Sequence, residues 1–431
     1  MLSFLSFERA LKSITCVFST PFFSTTPAAS TIASVATTIR RAPAADFNPK
    51  KLISSTRQLP SRGPYRRDAP DLKYPEPMKT PLGTVALFVT LLCVPGVVLA
   101  QSGPPPSLLV LSKQDHTLAV VDPSTLEVVA KMPVGNDPHE VIASTDGRTA
   151  YVSNYGFGAY NTLAVIDLVA QKALPSIDLG PLRGPHGLTF VGGKTWFTAE
   201  ASKAVGRYDP ASHKVDWILG TGQNRTHMIY VSDDEHLIIT TNVSSGTVSI
   251  IEQVTVNMPG GPPPAGMAPP PQGGPGPSKT RTDWDETVVR VGNGSEGFDV
   301  SPDHKEVWVA NAQDGTISII DLLGKKVIQT LAANVQGANR LKFTPDGKLV
   351  VVSTLRGPDV VILDADTRQV VKRVPVGHGA AGIVMQPDGS RAFVACTPDD
   401  YVTVIDLRSL DVAGHIKAGG QPDGLAWAVR R

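Results

Sequence analysis

The sequence contains few cysteines, few aromatic residues and few charges. Among its 431 residues are three cysteines, and 6% of the residues are aromatic and 18% charged. Only Cys396 follows the first hundred residues, and a lone thiol there forms neither an internal disulfide nor a thiolate metal cluster. G-x-S-x-G, G-x-x-x-x-G-K-[ST] and H-E-x-x-H are absent, and no G-x-G-x-x-G opens a helix. The usual signatures of a serine nucleophile, a phosphate-binding loop and a helical zinc site are therefore missing.

Charge is distributed unevenly along the chain. The formal net charge is +1, from 40 Lys and Arg against 39 Asp and Glu. Residues 1–100 contain 12 of the basic and 5 of the acidic residues, which leaves 28 basic and 34 acidic residues in 101–431. An acidic body is a poor partner for phosphate backbones, so we expect no nucleic-acid partner. The 41% of hydrophobic residues suffice for a large core, and 39 Gly with 37 Pro favour a turn-rich fold.

Residues 78–100 have the three parts of a secretory signal peptide. Lys79 supplies the early positive charge, an apolar run spans 85–94, and the segment ends at Ala100. The run is short for a bilayer span and is followed by Pro95, so cleavage is favoured over anchoring. The sequence therefore predicts a secreted or periplasmic protein that keeps no membrane span after cleavage.

Residues 1–77 precede the segment at which a signal peptide would normally begin. They are rich in Ser, Thr and Arg and poor in acidic residues, as a transit peptide is. The simpler interpretation is that translation starts at Met78 and that 1–77 is an over-extended or disordered region, because an organellar peptide followed by a secretory one is hard to rationalise. The fold prediction therefore concerns residues 101–431.

Short β-branched runs that end in an acidic residue recur through residues 101–431. These acidic residues are Asp122, Asp167, Asp209, Glu252, Asp321, Asp364 and Asp406. Their successive spacings are 45, 42, 43, 69, 43 and 42 residues. The long interval contains the Pro/Gly-rich tract 258–283, which has few large apolar residues to bury. We predict that this tract is a flexible surface loop inserted between two repeats.

Each repeat contains the elements of a four-stranded antiparallel sheet. Asp-Gly turns such as Asp146-Gly147 join β runs, and such turns favour hairpins. Four short strands in about forty residues are typical of a β-propeller blade. The first repeat lacks its first strand, whereas residues 424–428 form a first strand with no successor. Joining the two ends hides both sheet edges. The sequence thus predicts an all-β, seven-bladed β-propeller closed by its C-terminal strand, with the loop 258–283 between blades 4 and 5.

The strings YVSN, WVAN and SIID, together with the P-D-G turns, resemble the YVTN-type β-propeller repeat family. The resemblance covers nearly all of 107–431 and is specific for architecture rather than for function. It implies a surface protein or a secreted or periplasmic binding module. Through a distant similarity to propellers with inward-facing ligands, it also implies lactonase or lyase activity as an alternative.

One position, just before the innermost strand of each blade, is rich in histidine. Symmetry places the seven residues at this position in one ring around the channel axis, because they recur with the blade period. Three of the nine histidines occupy the ring, in consecutive blades. The ring residues are His139, His186, His227, Glu296, Asn339, Ala381 and Asp423.

Three histidines and a carboxylate suit zinc or another first-row divalent ion, because neutral imidazole is the commonest metal ligand. We therefore predict one divalent metal ion, zinc first, on His139, His186, His227 and Glu296. The arrangement is similar to that of propeller lyases and lactonases that hold a metal at one end of the channel. A metal-free ligand pocket and a merely wet channel are the alternatives.

The residues that end the second strands are predicted to lie at the same mouth, because strand one starts where strand two ends. Glu200 is the best candidate for a fourth ligand or for a partner of a histidine. For each asparagine a local turn role is the simpler interpretation. Arg340, one residue past the ring, is a further candidate for reaching this mouth, although its parity directs it towards the neighbouring blade instead. The further candidate ligand-binding residues are Asp423, Asn339, Glu200, Asn154, Tyr155, Asn242 and Asn311.

Two classes of function fit these features. The first is an exported, monomeric binding module that presents a site, with or without a metal, to a small molecule or a protein at the channel mouth. The alternative is a metal-dependent lyase or lactone hydrolase, in which the metal polarises a carbonyl and a free His or Glu acts as general base. Redox use of the ring with copper is a third and weaker hypothesis.

Overall fold

Seven four-stranded antiparallel sheets make up the computed structural model, which describes residues 106–258 and 279–430. Blade 1 contains β1 (Ser107–Ser112), β2 (Thr117–Asp122) and β3 (Glu127–Pro133). Blade 2 contains β4 (Pro138–Ala143), β5 (Thr149–Asn154), β6 (Thr162–Asp167) and β7 (Lys172–Asp178). Blade 3 contains β8 (Pro185–Val191), β9 (Lys194–Ala199), β10 (Ala204–Asp209) and β11 (Lys214–Gly220).

The remaining blades repeat this order. Blade 4 contains β12 (Thr226–Val231), β13 (Leu237–Asn242), β14 (Thr247–Met258) and β15 (Lys279–Arg290). Blade 5 contains β16 (Ser295–Val300), β17 (Glu306–Asn311), β18 (Thr316–Asp321) and β19 (Lys326–Leu331). Blade 6 contains β20 (Ala338–Phe343), β21 (Leu349–Thr354), β22 (Asp359–Asp364) and β23 (Val370–Pro375). Blade 7 contains β24 (Ala380–Met385), β25 (Arg391–Cys396), β26 (Tyr401–Asp406) and β27 (Asp411–Ile416), and the last strand is β28 (Pro422–Ala428).

The last strand closes the ring of blades. β28 pairs antiparallel with β1 and becomes the innermost strand of blade 1, with Leu109 opposite Ala426 and Val110 opposite Leu425. The predicted seven-bladed propeller and its closure by the C-terminal strand are therefore confirmed. Because β1, the first strand in the described residues, is paired in this way, neither β1 nor β28 leaves an open edge between the two ends of the repeat.

The core lies between the faces of neighbouring blades. The second and third strands of each blade are buried on both faces, as in β18, whose four central residues are all buried. This explains why these strands are continuous β-branched runs rather than alternating ones. In the outermost strand β11, exposed residues alternate with partly buried ones. The innermost strands approach closely, since a Cβ atom added at Gly382 would lie 2.1 Å from the carbonyl oxygen of Asp423.

The Pro/Gly-rich insertion lies within blade 4, not between blades 4 and 5 as predicted. β14 and β15 pair along their whole lengths, from Thr247 opposite Arg290 to Met258 opposite Lys279. Residues 279–283, which the sequence assigned to the loop, therefore belong to a strand. The ring of Trp284 lies 5.2 Å from that of Trp217 in blade 3, which packs this hairpin against the neighbouring blade.

The regular structure between the strands is limited to short turns. Three single-turn 3₁₀ helices occur in the described residues, at Gly156–Gly158, Glu200–Ser202 and Thr397–Asp399. No helix within 106–258 and 279–430 is long and apolar enough to cross a membrane. The predicted N-terminal region 1–77, the signal peptide 78–100 and the centre of the insertion lie outside the described residues.

Candidate metal centre at the channel mouth

A β-bulge recurs at the ring position of every innermost strand. In blade 2, Pro138 pairs with Asn154 and Val141 with Val152, so that His139 and the residue after it together face one partner. The same shift of register occurs in the other six blades. A bulge bends its strand and turns a side chain away from the regular pleat. The ring residues are therefore placed at a repeated irregularity of the sheets.

Hydroxyl groups on the second strands tie the bulges of neighbouring blades together. Thr198 Oγ1 accepts a hydrogen bond from the backbone N–H of Gly187 at 2.9 Å and donates to the carbonyl of His227 in the next blade at 2.5 Å. Thr241 Oγ1 likewise donates to the carbonyl of Glu296 in the following blade at 2.7 Å. The backbones of two ring residues are thus held in place from the preceding blade.

His186, Glu200 and His227 form a buried group that could hold a metal ion. One ligand atom from each residue lies within 4.8 Å of those of the other two. His186 is only 1% exposed, and neither of its ring nitrogens has a hydrogen-bond partner among residues 106–258 and 279–430. Its ring centroid lies 3.8 Å from that of His227. A buried polar atom without a partner costs about 1–3 kcal/mol, so this imidazole is placed at the expense of stability.

His227 lies between two carboxylates. Its Nδ1 is 2.5 Å from Oε1 of Glu200, whereas its Nε2 is 2.8 Å from Oε2 of Glu296 but outside hydrogen-bonding geometry. Burial acts to lower the pKa of His227, yet the two carboxylates outweigh burial and raise this pKa. Burial acts in turn to raise the pKa of both carboxyl groups, but His227 and Arg225 outweigh it and lower each pKa to about 2.

Tyr155 and Arg225 surround this group. The hydroxyl of Tyr155 donates to Oε2 of Glu200, and the tyrosine ring lies 5.1 Å from the ring of His186. Arg225 approaches both carboxylates, with Nε 3.5 Å from Oε2 of Glu200 and Nη1 3.6 Å from Oε1 of Glu296. Glu200 is therefore oriented from three sides, as metal-binding carboxylates usually are.

His139 lies beside the His186–Glu200–His227 group, but its Nδ1 faces Lys113 and Asp423. Nζ of Lys113 is 2.6 Å from its Nδ1 and 3.0 Å from Oδ2 of Asp423. Burial, helped by nearby positive charges, lowers the pKa of His139 to about 3 against the opposing effect of Asp423. Because an ammonium group can only donate, Nδ1 of the neutral ring accepts, and the proton resides on Nε2. The ring is edge-on to that of His186, with 4.3 Å between centroids.

The predicted ligand set is therefore assembled only in part. The structure brings His186 and His227 together with Glu200, which the sequence named as a fourth ligand or a partner. Glu296 contacts His227, and His139 packs on His186, yet neither belongs to the group whose ligand atoms lie within 4.8 Å of one another. The imidazole rings of three consecutive blades are in contact, with 4.3 Å between the centroids of His139 and His186 and 3.8 Å between those of His186 and His227.

The three asparagines that end second strands have local partners. Asn154 Nδ2 donates to the carbonyls of Val134 and Asn136 at 2.9 and 3.0 Å. Asn242 and Asn311 donate to hydroxyl groups of the adjacent third strand. Their amide hydrogens are thus used within or beside their own hairpins. By contrast, Oδ1 of Asn242 and Oδ1 of Asn311 are buried without a partner among the described residues.

An ion pair crosses the channel from blade 6 to blade 2. Arg340 is 4% exposed, and its guanidinium donates to Oε1 of Glu140. A second guanidinium nitrogen, Nη1, donates to Oδ1 of the ring residue Asn339 at 3.1 Å, so this side chain has a partner within its own blade. The parity of Arg340 directs it towards the neighbouring blade, but its length carries the charge across the axis.

Sequence reasoning missed Lys113 and Arg225. Lys113 follows the second strand of blade 1, the position that Tyr155 and Glu200 occupy in blades 2 and 3, so comparing this column across all blades would have found it. Arg225 precedes the ring residue His227 by two positions, outside the two columns that the sequence singled out.

Comparison with known proteins supports the architecture. Residues 279–425 match the model of the YNCE-like beta-propeller family. No curated protein sequence matches the chain at a significant level. A functionally unknown protein from Desulfotomaculum acetoxidans has 16% identity and a TM-score of 0.57, over 75% of this chain and 98% of that one.

Two further solved structures have the same fold. A putative 6-phosphogluconolactonase from Bacteroides uniformis has 14% identity and a TM-score of 0.56, over 75% of this chain and 99% of that one. Kuenenia stuttgartiensis hydrazine synthase has 15% identity and a TM-score of 0.51, over 67% and 89%. At such identities these likenesses concern the fold alone. The chain is therefore a seven-bladed β-propeller with a YNCE-like segment over 279–425, which confirms its predicted resemblance to the YVTN-type repeat proteins.

Proposed function

We propose that this protein is an exported binding module that holds one divalent metal ion, zinc in the first instance, at one mouth of its channel. His186, Glu200 and His227 would be the ligands, and the mouth would present the ion to a small molecule or a protein partner. The observation that carries the proposal is the buried imidazole of His186, whose two nitrogens have no partner within the described structure. Export rests on the signal-like residues 78–100, and we propose that the exported form is a monomer.

The donor set suits the ion. Two imidazoles and a carboxylate are a ligand set found in zinc sites that leave a fourth position open. The pKa of His186 is lowered well below its usual value, by burial first and by the neighbouring histidines, so that the ring is neutral and able to coordinate. Against the effect of burial, the pKa of His227 is raised by Glu296 and Glu200, so the ion would have to displace a proton from this second imidazole. Tyr155 donates to Glu200 and would keep that carboxylate oriented when it binds the ion.

The same pKa shifts favour binding over catalysis. A lyase or lactone hydrolase needs a general base whose pKa lies near the working pH. The pKa of Glu200 and of Glu296 is about 2, and that of His139 about 3, so these three are weak bases at neutral pH. The pKa of His227 is raised, but as a ligand of the ion this imidazole would not be free to act as the base. The alternative function of a metal-dependent lyase or lactone hydrolase is therefore less well supported than binding.

Metal analysis of the purified protein tests the proposal. We expect about one zinc equivalent by elemental analysis, or one equivalent taken up in calorimetric titration with a rise in melting temperature. His186→Ala should abolish uptake and leave the circular dichroism spectrum unchanged. His415→Ala, at an exposed position on the outer strand of blade 7, is the matched control and should bind as the parent does. Absence of bound metal, with no response of the melting temperature to zinc, copper or manganese, would refute the proposal.

A further inference from the structure

The residue two positions before the ring has a left-handed backbone in all seven blades. Residues with a Cβ atom rarely adopt this conformation, and glycine is the usual solution. Four blades have glycine there, with φ between 57° and 74°, whereas three carry a side chain. The three are Asp137 (φ 45°), Arg225 (φ 56°) and Gln421 (φ 52°).

The backbone conformation at this position does not require an arginine, since four blades have glycine there. Its guanidinium makes no hydrogen bond to any residue in 106–258 or 279–430, and its nearest carboxylate oxygens lie at 3.5 and 3.6 Å. The side chain is 42% exposed, although it lies beside the buried Glu200. A guanidinium has five N–H donors, so donors beyond those directed at the two carboxylates are left for a ligand at the channel mouth. A strained position that holds a half-exposed cation, paired with its carboxylates only at 3.5 and 3.6 Å, is typical of a functional site.

A second donor faces the same mouth. Because Lys113 fixes Nδ1 of His139 as an acceptor, Nε2 of that ring carries a hydrogen, and no described residue accepts it. The side chain of His139 is 17% exposed and its ring packs on that of His186. The mouth therefore has donors on both sides of the candidate metal group, Arg225 in blade 4 and His139 in blade 2.

We infer that the metal-loaded mouth binds a small oxyanion, a carboxylate or a phosphate, and that Arg225 is the side chain that selects for its charge. The inference rests on the proposed metal centre. A divalent ion with three protein ligands keeps a position for an oxygen atom. The planar guanidinium matches the paired oxygens of a carboxylate or phosphate, and His139 supplies one further hydrogen bond.

Arg225→Gly tests this role without a foreseeable folding defect, because glycine is the residue at the equivalent position of four blades. Gln421→Gly is the matched control, since it relieves the same backbone strain in blade 1. The zinc-loaded parent and both variants are titrated calorimetrically with malonate, inorganic phosphate and the neutral analogue malonamide, and each protein is also titrated with zinc.

The parent should bind malonate or phosphate and not malonamide, and the tighter of the two anions identifies the class of oxyanion. Arg225→Gly should still take up one zinc equivalent but, at saturating zinc, bind the anion at least tenfold more weakly, whereas Gln421→Gly should change neither zinc nor anion binding. If zinc binds and the anions do not, or if Arg225→Gly binds them like the parent, the oxyanion inference is overturned and the metal site stands. If the parent takes up no metal, both are overturned.

Discussion

Replacing His186 with leucine separates the metal-binding role of this side chain from its structural cost. In the absence of metal, both ring nitrogens are buried without partners in the part of the chain that the structure describes. Leaving a buried polar group unpaired costs about 1–3 kcal/mol, and repacking a core position with an apolar side chain of similar size usually costs less than about 1.5 kcal/mol. We therefore expect the metal-free variant to be more stable than the parent by about 1 kcal/mol.

Zinc should reverse that order. At a free concentration of about one hundred times the dissociation constant, the ion would stabilise the parent by about 2.7 kcal/mol and the variant not at all. The parent would then be more stable by between about 1 and 2 kcal/mol. The distinctive outcome is that the variant is more stable without metal and the parent is more stable with zinc. If His186 had a purely structural role, the same protein would be the more stable one in both conditions.

Urea unfolding followed by tryptophan fluorescence measures both orders, once in EDTA and once with zinc. The buried Trp196 and Trp308 should report loss of the blades. His415→Leu is the control at an exposed position and should change the free energy of unfolding by less than about 0.5 kcal/mol in either buffer. A His186→Leu variant that is less stable than the parent in EDTA would show that the imidazole makes stabilising contacts, and the reasoning above would be wrong.

Three further perturbations test the fold and its electrostatics. Deleting 424–431 removes most of β28 and exposes β1 in blade 1, so thermal unfolding should show a collapse of stability; an unchanged melting temperature would contradict closure. Replacing 259–278 with a short Gly/Ser linker should leave the free energy of unfolding within about 1 kcal/mol, whereas a loss of several kcal/mol would mean that the tract packs on the propeller. In metal-free protein, urea unfolding at several pH values should show the free energy of unfolding falling as the pH drops from 6.5 to about 5. The pKa values of His139 and His186 are lowered in the folded protein, so in this range these side chains take up protons only in the unfolded chain. A flat profile would refute the assigned pKa shifts.

The fold was predictable because its signals are local and repeated. The acidic residues that end the third strands accept hydrogen bonds from the turn that follows, as Asp122 does from Ser124 at 2.8 Å and Asp167 from Val169 at 2.9 Å. Asp146 caps the other hairpin in the same way, accepting from the N–H of Arg148 at 3.0 Å. Each of these contacts depends on residues two positions apart, so the sequence alone carries the information.

The composition of the candidate site was less predictable, because it depends on side-chain conformation across blades. The period places His139 and His186 in adjacent blades, but only the structure shows that Lys113 draws one nitrogen of His139 away. The inclusion of Glu200 depends on a 3₁₀ turn that places the carboxylate beside His227. The boundary of the insertion was wrong for a related reason. The polar residues 279–283 form a strand through backbone pairing with β14, which composition does not reveal.

The departures from sevenfold symmetry mark the site more clearly than any single residue does. All blades share the bulge, the close inner strands and the left-handed position, and a purely structural channel would fill equivalent positions alike. Instead, the position after the second strand carries Lys113, Tyr155 and Glu200 in blades 1 to 3, whereas blades 4 to 6 have apolar residues there. The left-handed position is glycine in blades 5 to 7, and the single arginine stands in blade 4. Apart from Arg340 in blade 6, the buried charges and histidines lie in blades 1 to 5, and this asymmetry supports the proposed binding of a ligand off the axis on that side of the mouth.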